Sequence, residues 1–224
     1  MGRAAAPASA WLPRVLTGLP WLALAAVLGY AFGELASDVW AGEGFAFDRA
    51  LMMALHGLAL PWLTATMRMI TASASGLMAV GVALAFYRWR RAGQRAEAVV
   101  LLVTLAGSAA LGQGLKAFFA CPRPHLFPWL TAAGGWSFPS GHTLTAIVLG
   151  GVLAWLLGRK LRAWRRVVVW AIAGLWASLV GLSRVYLGVH YPSDVVASLA
   201  VGGLCLLATL CCYRVTVAQS PAQI

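Results

Sequence analysis

Residues 183–194 read Ser-Arg-Val-Tyr-Leu-Gly-Val-His-Tyr-Pro-Ser-Asp and join two apolar runs, 167–182 and 195–213. Each run is close to the length that a membrane-spanning helix requires. The link between them carries an arginine, a histidine and an aspartate within twelve residues. A charged side chain at the end or in the interior of a membrane helix is costly, so its presence needs a reason. The stretch therefore predicts a membrane-embedded helical bundle with polar chemistry at one rim.

Composition extends this prediction to the whole chain. Of its 224 residues, 61% are hydrophobic and 10% are charged, whereas soluble domains average about 25% charged residues. The net charge of +11 could indicate a nucleic-acid partner. The basic residues, however, cluster in segments such as 88–95 and 159–166, between apolar runs, which is typical of loops in membrane proteins. We therefore expect a bilayer around the protein and no nucleic-acid partner.

Hydropathy gives more candidate spans than the charge pattern allows. The basic segments 88–95 and 159–166 are expected in the cytoplasm, and Arg3 and Arg14 with them. An even number of spans must then precede residue 88. The apolar runs begin and end near 15–32, 50–67, 70–87, 98–120, 142–157, 167–182 and 195–213.

The run 50–67 is the weakest of the three early ones. It contains His56 and Pro61 and is flanked by Arg49 and Arg68. We interpret it as an interfacial or re-entrant helix. The expected fold is all-α: an integral membrane bundle of six transmembrane helices with this additional helix. The alternative is seven spans with the N-terminus outside.

The six-span arrangement determines where the polar loops lie. Residues 1–224 are interpreted as one membrane domain with both termini in the cytoplasm. The loops 116–140 and 183–194 then face the outside, which for a bacterial-looking chain is the periplasmic side of the inner membrane. The chemistry is expected there.

His190 and Asp194 form the first candidate pair. A helix that begins at Pro192 places Asp194 in its first turn, where the helix dipole favours a negative charge. A short loop then brings the carboxylate against the imidazole. A histidine held by a carboxylate at one nitrogen has its other nitrogen available as nucleophile or base. The alternative is a pair that only caps the helix.

Three cations are expected at the same rim. Lys116 and Arg184 close two spans at their outer ends, against the positive-inside trend, and Arg123 follows in the first outer loop. A single cation of this kind can be an interfacial side chain that reaches the headgroups. Three on one face, beside the only carboxylate after Glu97, indicate an anion site.

The tetrapeptide Pro-Ser-Gly-His at 139–142 opens the next span. A helix N-terminus offers free N–H groups and a positive dipole end to an anion. Gly141 allows close approach of a ligand, and Ser140 can cap or donate. His142 and His190 could flank a bound phosphate. Because the set lacks the carboxylate or Cys/His clusters of magnesium and zinc sites, we expect metal-free chemistry and no cofactor.

These residues form three motifs in order. They are Lys-x6-Arg-Pro at 116–124, Pro-Ser-Gly-His at 139–142 and Ser-Arg-x5-His-x3-Asp at 183–194. The chain thus resembles the type 2 phosphatidic acid phosphatase family, whose superfamily includes vanadium haloperoxidases, bacterial acid phosphatases and glucose-6-phosphatase. It is most similar to the membrane-bound lipid phosphatase branch, with phosphatases of phosphatidylglycerol phosphate and undecaprenyl pyrophosphate. The signature covers residues 116–194.

The resemblance implies a role for each motif residue. His190 attacks phosphorus and forms a phosphohistidine, while Asp194 orients it. His142 protonates the leaving oxygen and then activates water. The implied ligands of the phosphate oxygens are Lys116, Arg123, Ser140, Gly141 and Arg184.

The resemblance and the rim location together indicate the reaction. We expect a lipid phosphatase that removes the terminal phosphate of undecaprenyl pyrophosphate, phosphatidylglycerol phosphate or phosphatidic acid. The alternatives are a phosphotransferase or lipid A-type phosphatase of the same fold, and a non-catalytic phospholipid-binding or transport protein. The physiological lipid, the oligomeric state and the roles of His56, Arg68 and His125 are left open.

Overall fold

The described part of the chain is helical. The computed structural model describes residues 12–42 and 45–219, and every regular element within them is an α-helix; Arg3 lies outside these ranges. In chain order the helices are α1 (Leu12–Trp40), α2 (Ala46–His56), α3 (Pro61–Ala72), α4 (Gly76–Arg91), α5 (Arg95–Phe119), α6 (Gly141–Gly158), α7 (Ala163–Tyr186) and α8 (Pro192–Gln219). The all-α prediction is therefore confirmed for the described residues.

Five of these helices, α1, α5, α6, α7 and α8, are long and apolar enough to cross a membrane. The predicted span at 70–87 differs from the structure. Its first residues end α3, the chain breaks its helix at 73–75, and α4 begins at Gly76. The 16 residues of α4 extend about 24 Å, less than the roughly 30 Å hydrocarbon core. The apolar run 70–87 is therefore divided between two helices, and the sixth of the expected spans has no long apolar helix of its own among the described residues.

The region 50–67 also differs from its prediction. The sequence predicts one additional helix there, and the structure has two, α2 and α3, joined by residues 57–60. Pro61 begins α3 at its first turn. Proline suits that position because it has no N–H to donate, and in a helix interior it would break the hydrogen-bond ladder. The same residue that weakens the apolar run therefore divides it.

Helix α6 is the centre of the bundle. Buried side chains of α5, α6 and α8 form one apolar core, which includes Leu101, Val148 and Val201. Small residues let α6 and α8 approach closely, as is common between membrane helices. A Cβ atom added to Gly151 would clash with Leu206 Cδ1, and one added to Gly202 would lie 2.7 Å from Ile147 Cγ2. This close packing therefore fixes α6 relative to α8.

Helices α2 and α3 cover the link between α7 and α8. Tyr186, Leu187 and Val189 are buried there against side chains from both short helices, among them Leu55 and Leu63. The Tyr186 hydroxyl lies 3.0 Å from Thr64 Oγ1 of α3. The link is therefore held from outside the long helices, and this packing positions the candidate site.

Candidate active site

The link between α7 and α8 turns at a glycine. Gly188 has a φ of +77°, a conformation that other residues adopt only at a cost. A Cβ atom there would lie 2.5 Å from Phe127 Cε2. The Phe127 ring stacks on His56, with ring centroids 3.8 Å apart. The turn that presents His190 is thus packed against Phe127.

His190 and Asp194 are in direct contact. The helix begins at Pro192 as predicted, and Asp194 lies in its first turn. His190 Nδ1 lies 3.0 Å from Asp194 Oδ2, and both residues are only 1% exposed. The Tyr191 N–H donates to the same Oδ2 at 2.9 Å. The carboxylate is therefore held by the His190 side chain and by the Tyr191 main chain.

This contact determines which nitrogen of His190 carries the proton. An ionised carboxylate only accepts hydrogen bonds, so Nδ1 donates to Asp194 and Nε2 has the lone pair. Burial lowers the pKa of His190 to about 4, although the hydrogen bond and charge of Asp194 act to raise it. Close to pH 7 the imidazole is neutral. Neutral Nε2 is the form that a nucleophile needs.

Arg123 faces Nε2 and also holds three carbonyl groups. Its Nη1 lies 3.1 Å from His190 Nε2 and donates to the Val189 carbonyl at 2.7 Å. Its Nη2 donates to Gly134 O at 2.7 Å, and its Nε donates to Gly135 O at 3.1 Å. The guanidinium therefore ties the loop before α6 to the residue that precedes His190.

Lys116 continues this arrangement along the same loop. It lies in the last turn of α5, and its Nζ donates to Trp136 O at 2.5 Å and to Ser137 O at 3.0 Å. Four successive carbonyls, those of residues 134–137, are thus held by the two cations. We call this segment the carbonyl ledge. It forms one wall of the site.

Arg184 is the most buried of the three cations, at 4% exposure. It lies in the last turn of α7, and its Nη1 donates to Thr71 Oγ1 of α3 at 3.0 Å. Its Nε is buried and has no hydrogen-bond partner among the described residues. A buried charged group with an unused donor is costly unless a ligand satisfies it. This donor is suited to an anion.

The first turn of α6 meets α8 behind the site. The Ser140 N–H donates to Asp194 O at 3.2 Å, and Thr143 Oγ1 donates to Ser140 Oγ at 2.9 Å. Ser140 itself is fully buried. Gly141 and His142 line the adjacent cavity. The structure thus places Ser140 behind the wall and the next two residues on it.

One cavity of about 570 Å³ brings the candidate residues together. The chemistry-bearing part of its lining is Lys116, Arg123, Gly141, His142, Arg184 and His190. Asp194 is buried behind His190. Within the described residues, no three His, Cys, Asp or Glu side chains are grouped as metal ligands. The arrangement can hold an anion between three cations with two imidazoles at its border.

A family model of the PAP2 superfamily matches residues 97–217, more than half of the chain. The chain belongs to the PAP2 superfamily. This confirms the family that the three motifs resemble. With its five long apolar helices, this PAP2 chain is an integral membrane protein of a family that includes lipid phosphatases.

Curated PAP2 relatives act on several lipids. Phosphatidylglycerophosphatase B of Bacillus subtilis is 32% identical over 165 residues, which cover 69% of this chain and 77% of that protein. Lipid A 1-phosphatase of Rhizobium etli is 34% identical over 50% of this chain and 49% of its own length. Undecaprenyl-diphosphatase of Sulfolobus acidocaldarius is 34% identical over 53% of this chain and 54% of its own. The chain thus spans only about half the length of the last two.

Solved PAP2 structures share the fold. The crystal structure of a transmembrane PAP2-type phosphatidylglycerolphosphate phosphatase from Bacillus subtilis matches with a TM-score of 0.74 and 28% identity, covering 88% of this chain and 98% of that one. LpxE of Aquifex aeolicus matches with a TM-score of 0.61 and 26% identity, covering 74% and 96%.

Three side chains of this PAP2 site were not among the residues predicted from the sequence. Ser137 contacts Asp194 and His190, Thr71 contacts Arg184, and Asp48 holds the start of α8. Asp48 accepts from Ser193 N at 2.8 Å and from Ser193 Oγ at 2.6 Å. Asp48 and Thr71 lie more than a hundred residues from their partners. No local spacing indicates such contacts.

The structure gives the surroundings of Arg68, His125 and His56, whose roles the sequence leaves open. Arg68 donates through Nε to Leu130 O at 2.7 Å and so holds the loop between α5 and α6. His125 is exposed and stacks on Trp129, with ring centroids 5.6 Å apart. His56 stacks on Phe127, and its buried Nδ1 has no hydrogen-bond partner in the described part of the chain.

Proposed function

We propose that the protein is a lipid phosphatase that hydrolyses the terminal phosphate of a lipid phosphate or diphosphate through a phosphohistidine at His190. One observation carries the proposal: a single cavity is lined by Lys116, Arg123, His142, Arg184 and His190. Three cations can neutralise a phosphate and stabilise the charge that spreads over its oxygens in the transition state.

In the first step His190 Nε2 attacks phosphorus. An N–P bond forms while the bond from phosphorus to the leaving oxygen breaks, and His142 gives that oxygen its proton. Asp194 accepts the Nδ1 hydrogen bond and stabilises the positive charge that develops on the His190 imidazole. The products of this step are the dephosphorylated lipid and the phosphoenzyme.

In the second step water attacks the phosphohistidine. His142, now neutral, accepts a proton from the water as its oxygen bonds to phosphorus, and the N–P bond breaks. Inorganic phosphate leaves, and His190 returns to its neutral form. The chain's own imidazoles and cations account for both steps, so we propose that the reaction is independent of metal ions.

The substrate is proposed to reach the cavity from the bilayer. The break between α3 and α4 supplies Ala74 and Ser75 to the cavity wall, and Gln113 of α5 lines it nearby. With α4 as a short sixth crossing, both termini lie in the cytoplasm and the site faces the outer, periplasmic leaflet. Residues 1–224 then form one domain whose substrate is anchored by its chains in the membrane.

The experiment is phosphate release by purified protein in detergent. Undecaprenyl pyrophosphate, phosphatidylglycerol phosphate and phosphatidic acid would each be supplied with EDTA present. We expect free phosphate, inhibition by vanadate, and loss of both release and phosphoenzyme in His190→Ala. Activity that EDTA abolishes and a divalent cation restores would refute metal independence. Full activity in His190→Ala would refute the phosphohistidine.

The alternatives give different products in the same assay. A phosphotransferase would pass the phosphate to an added alcohol acceptor more readily than to water. A binding or transport protein would retain the intact lipid phosphate and release none. Activity confined to lipid A would assign the lipid A-type alternative.

A further inference from the structure

Ser137 has a backbone that is fixed on both sides. It is fully buried and lies three residues before Ser140. Its N–H donates to Cys121 O at 2.8 Å, and its carbonyl accepts from Lys116 Nζ at 3.0 Å. The position of the Ser137 side chain, at the end of the carbonyl ledge, is therefore fixed by its backbone.

The Ser137 hydroxyl lies between Asp194 and His190. Its Oγ makes a short contact with Asp194 Oδ2 and lies 3.3 Å from His190 Nδ1. A hydroxyl has one proton to donate, and an ionised carboxylate can only accept it. Ser137 therefore donates to Asp194, and its lone pairs face the Nδ1–H of His190. Only the Nδ1–H tautomer satisfies both contacts.

Asp194 Oδ2 consequently receives three hydrogens, from His190, from the Tyr191 main chain and from Ser137. Each donor stabilises the carboxylate and weakens its pull on the imidazole proton. Bonds to a charged acceptor are also stronger than bonds between neutral groups. Ser137 thus has two effects. It holds the Asp194 carboxylate in place, and it limits how far that carboxylate raises the basicity of His190.

We propose that Ser137 is a positioning residue, which acts through Asp194 to keep His190 in the Nδ1–H tautomer, with the attacking lone pair on Nε2. The proposal rests on the proposed phosphohistidine reaction. The charged groups that act on His190 are Asp194 from α8, Arg123 from the outer loop and Arg184 from α7. Ser137 adds a neutral side-chain donor to these charged groups.

The test compares Ser137→Ala with Ser108→Ala. Ser108 is also buried, but its hydroxyl donates to Leu105 O of its own helix, and its side chain is not part of the lining of the candidate cavity. For Ser137→Ala we expect kcat to fall about 10- to 100-fold while KM stays within about twofold. The acid limb of kcat/KM should move to higher pH, and single-turnover phosphorylation of His190 should slow with kcat. Ser108→Ala should behave as the unmodified protein.

A second variant, Ser137→Cys, allows the proposal to be tested even if Ser137→Ala folds poorly. Ser137→Cys retains a weak donor, and we expect its kcat per folded molecule to lie between those of serine and alanine. A lower yield of folded protein with unchanged kcat and an unmoved acid limb would overturn the proposal. If the unmodified protein releases no phosphate, or His190→Ala stays active, the proposed function itself fails. If Ser137→Ala turns over normally while His190→Ala is inactive, only the proposed role of Ser137 is refuted.

Discussion

Arg123 Nη1 lies 3.1 Å from His190 Nε2, so the lone pair of the proposed nucleophile faces a guanidinium donor. The same Nη1 donates to the Val189 carbonyl at 2.7 Å. The arginine is therefore placed both to hold the backbone beside the nucleophile and to meet a phosphate at the atom that attacks it. Its charge and its planar shape serve different parts of this arrangement.

Arg123→Lys separates charge from shape. Lysine keeps the positive charge, but one ammonium group cannot reach the three carbonyls and Nε2 that the guanidinium fork contacts. We expect kcat/KM to fall about 100- to 1,000-fold, close to the loss in Arg123→Ala. Steady-state phosphate release measures it. A lysine variant within about threefold of the unmodified protein would mean that charge alone suffices.

Asp194→Asn tests the orienting carboxylate. Asparagine has nearly the same shape but no charge, and its amide can present a hydrogen where Nδ1–H now donates. We expect kcat to fall about 10²- to 10⁴-fold, with folding and lipid-phosphate binding retained. Turnover and equilibrium binding of a lipid phosphate to the variant measure the two effects. Unchanged turnover would remove Asp194 from the mechanism.

The acid limb of activity should lie well below the usual range for histidine. Burial lowers the pKa of His190 from 6.5 to about 4, so the imidazole stays neutral and reactive as the pH falls from 7 to 5. Between those two pKa values the unfolded chain binds more protons at this residue than the folded one. The free energy of unfolding therefore decreases as the pH falls through that window.

The measurement is kcat/KM against pH with two substrates whose phosphates ionise differently. A phosphate monoester has its own ionisation near pH 6, and that limb moves with the substrate. The limb that belongs to His190 stays near pH 4 for both. A substrate-independent limb near 6.5 would show that His190 titrates as an exposed histidine does.

Asp48 should contribute to stability through the start of α8. Its carboxylate accepts both the N–H and the hydroxyl of Ser193, and Asp48→Ala leaves two buried donors without a partner. We expect the free energy of unfolding to fall by about 1–3 kcal/mol, seen as a lower Tm in detergent. Asp38→Ala, a carboxylate of α1 outside this contact, is the control. Equal Tm values for the two variants would contradict the role of Asp48.

The sequence predicts the helix starts that carry chemistry. Pro192 and Gly141 begin α8 and α6 as expected. Proline acts locally and can be read from adjacent residues, whereas Ser140 occupies the N-cap position of α6 without a side-chain capping hydrogen bond. The contact of His190 with Asp194 follows from the same local geometry. The cations Lys116 and Arg184 fall at helix ends for the same reason, since long apolar runs end at charges.

The contacts that support these residues could not be predicted in this way. Asp48 and Thr71 belong to the short helices α2 and α3. In this part of the chain, hydropathy indicates one additional helix followed by a continuous span, and not two short helices. The partners of these two residues on α7 and α8 are chosen by packing between distant segments. Ser137 lies in a loop, where the bonds of its backbone to Cys121 and Lys116 determine its place. Only the assembled bundle brings these groups together.

The carbonyl ledge limits how a ligand is recognised. Among partners that the structure describes, Lys116 gives two of its three ammonium hydrogens to residues 136 and 137, and Arg123 gives four of its five N–H groups to three carbonyls and His190. A phosphate thus meets a strong but weakly directional field from these two cations. Such a field attracts any molecule with enough negative charge, whatever carries it. Selection among lipids therefore depends on the other residues that line the cavity, so a change of preferred lipid should require no change in the proposed catalytic residues.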